Sequence, residues 1–131
     1  MAGLNREEAR DLAPAHLHSP NASRTILSDN GGYTNVEGER CEARRGDLIL
    51  TPNGTWHDHG NEGSDPVMWM DGLDIPLTMF FNSMFLEDGA ELHQKVTLPE
   101  RHSETLYGQA LFPGGAGGDH FQPGTGKASP V

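Results

Sequence analysis

Cys41 is the single cysteine of this chain, so no intramolecular disulfide is available and a reducing compartment suits it. Basic residues are scarce. Nine Lys and Arg stand against 19 Asp and Glu, for a formal net charge of -10. Such a molecule repels nucleic acid and anionic membrane, and neither is expected as a partner. No run approaches the roughly 18 apolar residues of a membrane span. The opening stretch MAGLNREEARDL carries charges where a signal peptide needs an apolar core. The expectation is a soluble, cytoplasmic protein. Hydrophobic residues make up only 34% of 131 residues, which suits one modest core better than a helical bundle.

Glycine and proline are plentiful instead, 17 and 9 residues, and they punctuate short apolar runs. Residues 1–12, with Arg6-Glu-Glu-Ala-Arg-Asp11, read as a charged arm, frayed helix or disordered. Between residues 13 and 98, Arg24-Thr-Ile-Leu27 and Tyr33-Thr-Asn-Val36 read as strands, separated by the turn Asp29-Asn-Gly-Gly32. Glu37-Gly38-Glu39 reads as a tight reversal. Leu48-Ile-Leu-Thr51 and Val67-Met-Trp-Met70 are apolar enough for buried strands. This spacing predicts an all-β sandwich or barrel. Leu77, Phe80, Phe81, Met84 and Phe85 follow helical periodicity and predict a helix near 77–86, packed on the barrel or facing a partner. Residues 99–131, with Pro113-Gly-Gly-Ala-Gly-Gly118, read as a linker or tail.

Histidines carry the chemistry. His16-Leu-His18 places two imidazoles at i and i+2, which on a strand share one face. His57 follows the run Leu48–Thr51 and can join them if the intervening strands fold back. Three neutral imidazoles suit Fe(II), Zn(II) or another borderline ion and leave coordination positions open. The pair alone is a weak signal, because solvent-facing histidine pairs are common. The second segment strengthens it with Gly46, Pro52, Gly54, His57 and Asn61 in the spacing G-x5-P-x-G-x2-H-x3-N. Gly46 starts a strand, Pro52 stiffens the bend, and Gly54 permits the backbone angle that aims the next strand inward.

That spacing resembles the second motif of the cupin superfamily. APAHLH at 13–18, GDLILTP, TWHDHGN and the stretch ending DGLDIPL look more narrowly like the N-terminal cupin of gentisate 1,2-dioxygenases. The resemblance covers about residues 13–77. It implies a cupin-type double-stranded β-helix, a jelly-roll barrel that is incomplete here, with a short C-terminal helix. In the first cupin motif, Arg10 stands where a glycine is usual and Ala22 or Ser23 where a glutamate is usual. Lack of the glutamate fits a three-histidine site.

The resemblance implies that His16, His18 and His57 ligate Fe(II). It implies an extradiol-type ring-cleaving dioxygenase of aromatic catabolism, opening gentisate to maleylpyruvate with O2. His59 matches a pocket residue that donates a proton or hydrogen bond to substrate. Arg24 matches a residue suited to a substrate carboxylate. Asp71 matches one that accepts from a ring hydroxyl or holds the pocket, and Asp74 one that caps or turns the chain. Trp56 and Trp69 read as core aromatics. Asp58 reads as surface or turn, and His93, His102 and His120 as solvent-facing.

That family pairs two cupins and assembles into oligomers, so a homo-oligomer is expected. The chain looks like one piece of such an enzyme. Two other functions stay open: a non-catalytic cupin that binds a metal or ligand, and a three-histidine metal lyase or isomerase.

Overall fold

The computed structural model describes residues 1–28 and 31–107. His120, the stretch Pro113–Gly118 and half of the turn at 29–32 lie outside the described residues. Among the described residues, nine strands and two short helices run in chain order: β1 (Ala2–Glu7), β2 (Leu12–His18), β3 (Ala22–Ile26), β4 (Gly32–Val36), β5 (Glu39–Glu42), β6 (Leu48–Thr51), β7 (His57–Asn61), β8 (Val67–Leu73), α1 (Ile75–Phe80), β9 (Leu86–Asp88) and α2 (His102–Tyr107). They form two antiparallel sheets, β1-β8-β3-β6 and β5-β4-β7-β2-β9. The architecture is a mostly-β sandwich; the described strands do not close into a barrel.

Two strands of the first sheet, β6 and β8, alternate. In β8, Val67 and Trp69 are buried while Met68 and Met70 are exposed; in β6, Ile49 is buried while Leu48 and Leu50 are exposed. These runs predict strands buried on both faces, yet only one face of each meets the core. Ile26, Ala43, Ile49, Val67 and Trp69 make up that core.

The charged arm predicted for residues 1–12 is a strand instead. Ala2–Glu7 pairs with β8 in the register Gly3↔Asp71, Asn5↔Trp69, Glu7↔Val67. Its poor strand propensity is outweighed by a full ladder along an established neighbour, since β propensity yields readily to context. Arg10, at the usual glycine position, turns the chain into β2 with φ 68. The turn thus keeps the left-handed backbone without the glycine that normally supplies it. Gly54 has φ 68 as its position requires, and its N–H donates to His18 O at 2.9 Å.

The helix near 77–86 is shorter and placed earlier. Pro76 stands in the first turn of α1, and Asn82 breaks the periodicity with φ 51. Leu77, Phe80, Phe81, Met84 and Phe85 are all exposed, so this apolar stripe does not pack on the sheets. Asp74 occupies the N-cap position, but its carboxylate accepts from Asn21 N and Asn21 Nδ2, both at 2.8 Å. It ties the end of β8 to the β2–β3 turn.

Asp58 is the other correction. It is fully buried and accepts from Asn35 Nδ2 and Gln94 N, each at 2.7 Å. The outer face of the second sheet is covered by the segment after β9, which also bonds Gly38 O through Thr97 N and Leu98 N. Within the stretch predicted as linker, α2 forms over His102–Tyr107 and Ser103 bonds Glu39.

Candidate metal centre and its pocket

Two strands of the second sheet position the histidines. His16 and His18 are two residues apart on β2, and His16 lies directly opposite His57 on β7. Directly paired residues share a face, so all three imidazoles point into the sandwich. A bulge makes this register possible. Ala13 pairs with His59, yet His16 pairs with His57, so one extra residue is accommodated between them on β2. Pro14, which has no N–H to leave unpaired, sits in that irregularity. Without the bulge, His16 would face Trp56.

The ring centroids lie 4.2 Å apart for His16–His57 and 4.7 Å for His18–His57. One ligand atom from each of the three falls within 4.8 Å of the others. Each Nδ1 meets a backbone carbonyl: His16 with Pro14 O at 2.7 Å, His18 with Pro20 O at 2.9 Å, His57 with Thr55 O at 2.9 Å. Those contacts place the proton on Nδ1 and free the Nε2 lone pairs, as bound metals require. Burial, with the neighbouring His16 and His18, lowers the His57 pKa to about 4, against a backbone hydrogen bond that raises it. With the Nδ1 protons held by backbone carbonyls, the three Nε2 donors fit a borderline divalent cation.

The cluster opens into a cavity of about 340 Å³ lined by residues of both sheets, including Glu7, Arg24, His59, Trp69 and Asp71. That volume lies within the range of small-ligand sites. His59 is two residues from His57 with its ring edge-on to Trp69, centroids 5.8 Å apart. Burial chiefly, then Arg24 and the other histidines, lowers its pKa to about 2. His59 is thus neutral, and its 3.8 Å approach to Glu7 is not an ion pair. Its Nδ1 is buried with no hydrogen-bond partner.

Arg24 does not stand free in the pocket. Its Nε and one terminal nitrogen donate to the two Asp71 oxygens at 2.8 and 2.9 Å, and the other terminal nitrogen donates to Thr34 Oγ1 at 3.0 Å. The guanidinium also lies over Trp69, 4.3 Å from the ring centroid. Asp71 is fully engaged, since its Oδ2 further accepts from Asn5 Nδ2 at 2.8 Å and Trp69 Nε1 at 3.2 Å. Trp69 is a core residue, whereas Trp56 is half-buried. His93 is exposed and His102 half-buried, both away from the cluster.

The residue that the sequence reading missed is Glu7. It reaches the pocket because β1 is a strand, and Gly3, Asn5 and Glu7 oppose the inward residues of β8. The segment Ala2-Gly-Leu-Asn-Arg-Glu7 has no alternation of polar and apolar residues to signal it. Burial, tempered by Arg24, pushes its pKa up to about 7.

The model of the cupin domain matches residues 7–75, more than half of the chain. The chain belongs to the cupin family. This cupin is 52% identical over 79 residues to a gentisate 1,2-dioxygenase of Ralstonia sp, covering 60% of the chain and 22% of that enzyme. It is 43% identical over 83 residues to a 5-aminosalicylate 1,2-dioxygenase of Comamonas sp, covering 62% of the chain and 22% of the relative. Among solved structures it resembles the salicylate 1,2-dioxygenase of Pseudaminobacter salicylatoxidans. There the TM-score is 0.74 and identity 35%, covering 85% of the cupin and 32% of that chain. The cupin thus spans less than a third of the length of each.

Proposed function

We propose that this cupin is the metal-binding unit of a gentisate-type, extradiol-type dioxygenase that opens the ring of a hydroxylated benzoate with O2. The observation that carries the reading is the convergence of three imidazoles on a cavity that also holds an arginine and polar groups. The similarity to gentisate, 5-aminosalicylate and salicylate dioxygenases supplies the substrate class.

His16, His18 and His57 would hold Fe(II). When bound, that ion supplies the redox chemistry linking an electron-rich ring to oxygen. The chain's own groups orient the reactants. Arg24 keeps N–H donors beyond the three engaged, and these face a substrate carboxylate, while Asp71 fixes the guanidinium plane. His59, neutral and lining the cavity, offers a hydrogen bond to substrate or oxygen through Nε2, since its Nδ1 is sealed in the protein. Trp69 walls the cavity and excludes water.

A non-catalytic ligand-binding cupin is the second reading. One observation favours it: Arg24 is held so fully by Asp71 and Thr34 that its grip on a carboxylate is limited.

The exposed stripe Leu77, Phe80, Phe81, Met84 and Phe85 supports self-association into homo-oligomers. Among the described residues, no helix is long and apolar enough to cross a membrane. Together with the single cysteine, this supports our placing the protein in the cytoplasm.

Anaerobic loading with Fe(II), then oxygen uptake with gentisate, 5-aminosalicylate and salicylate, tests the function. Uptake with loss of the aromatic absorbance is expected. Binding of these acids with no uptake above the ligand-free rate would favour the second reading. Light scattering across a dilution series checks the association, and a monomer at every concentration would contradict it.

A further inference from the structure

We propose that Glu7 is a specificity-determining residue, whose carboxylate recognises a hydrogen-bond donor on the substrate ring. The inference rests on the hydroxybenzoate reading and names the chemistry it selects.

Four observations carry it. Glu7 opposes Val67 on β8, so it shares the inward face with Asn5 and Trp69 and lines the cavity of the three histidines. Its Oε2 is sealed in the protein without a hydrogen-bond partner, while Oε1, 3.8 Å from His59 Nε2 and so beyond hydrogen-bond length, is the oxygen left for a ligand in the cavity. The other carboxylate of the cavity, Asp71, already has partners on both oxygens, from Arg24, Asn5 and Trp69. Glu7 is also outside the ligand cluster, which among the described residues comprises His16, His18 and His57 alone.

A buried carboxyl with an idle oxygen costs stability where an apolar residue would not. A ligand that brings a donor to Oε1 gives the carboxylate a bond that it lacks; one that brings only C–H leaves that bond unmade. The groups facing Glu7 are Arg24 from β3, His59 from β7, Asp71 from β8 and Asp11 before β2. Arg24 is the only cation among them, so no second cation competes with a ligand donor for the carboxylate.

Gentisate carries a hydroxyl, and 5-aminosalicylate an amino group, para to the hydroxyl beside the carboxylate. Salicylate has only C–H at that position. The three acids share the carboxylate–hydroxyl pair and differ in the donor that Glu7 would meet.

The test is equilibrium binding of the three acids to the full chain, loaded with Fe(II) under anaerobic conditions at pH 8, where Glu7 is ionised. Wild type, Glu7→Leu and Glu7→Gln are compared after circular dichroism confirms the fold. Wild type is expected to bind the two donor-bearing acids about tenfold or more tightly than salicylate. In Glu7→Leu the ratio falls to about twofold, through weaker binding of the donor-bearing acids and not of salicylate. Glu7→Gln retains the shape, carries the test if the leucine variant does not fold, and shows a smaller ratio than wild type because a neutral amide accepts more weakly. An unchanged ratio in the folded variants, or equal weakening of all three acids, would overturn the role. Wild type binding none of the acids would instead remove the hydroxybenzoate reading, and this inference with it.

Discussion

Glu7→Gln is expected to stabilise the apoprotein at pH 8 and to change it little at pH 4. In the folded chain the Glu7 carboxyl is raised from 4.5 to about 7, mainly by burial. A carboxyl raised on folding contributes fully below its unfolded value. That contribution is lost as pH rises through the folded value. The window therefore runs from about 4.5 to about 7. At about 1.4 kcal/mol per unit, the ceiling is about 3 kcal/mol. Partial solvent access to the carboxyl brings the expected figure to about 1–2 kcal/mol. His57 and His59 pull the other way, since both are lowered on folding and lose stability as pH falls. The difference between variant and wild type removes their share. Urea unfolding of metal-free protein at pH 4, 6 and 8 provides the measurement. An advantage of Glu7→Gln that is absent at pH 8, or equal at all three values, would refute the assignment of a desolvated carboxyl.

Two further substitutions probe the scaffold of the pocket. Asp71→Ala leaves the Arg24 guanidinium half-enclosed without its partner and frees Trp69 Nε1 and Asn5 Nδ2. Denaturant unfolding should show a loss of about 3–5 kcal/mol. Arg10→Gly relieves a left-handed backbone at φ 68 while adding entropy to the unfolded chain. A net gain of up to about 1 kcal/mol is expected in the same assay, and a clear loss would mean that the Arg10 side chain matters.

Most of the sheet was legible because its strands are short apolar runs set between turn residues. Arg24–Leu27, Tyr33–Val36 and Leu48–Thr51 announce themselves in this way, and Glu37-Gly38 does form the two-residue reversal between β4 and β5. β1 was not legible. Its residues, Ala2-Gly-Leu-Asn-Arg-Glu7, show no run of strand formers, and only the ladder with β8 makes this edge segment a strand. The stripe from Leu77 to Phe85 has helical spacing, but Asn82 ends the helix, and periodicity does not say whether a face is covered. Asp58 misled for the reverse reason, because the segment that covers its face lies 36 residues further on.

The same division runs through the site. H-x-H spacing and the Gly–Pro–Gly–His pattern point to His16, His18 and His57. The bulge at Pro14 that puts His16 opposite His57 has no sequence signature. Nor does the engagement of Arg24 by Asp71, which joins neighbouring strands 47 residues apart in sequence.

The most direct measurement is the stoichiometry of Fe(II) bound after anaerobic loading and desalting, in wild type, His57→Ala and His59→Ala. One equivalent is predicted for wild type and His59→Ala, and little or none for His57→Ala. Retention of a full equivalent by His57→Ala, or its loss in a folded His59→Ala, would contradict the three-histidine centre.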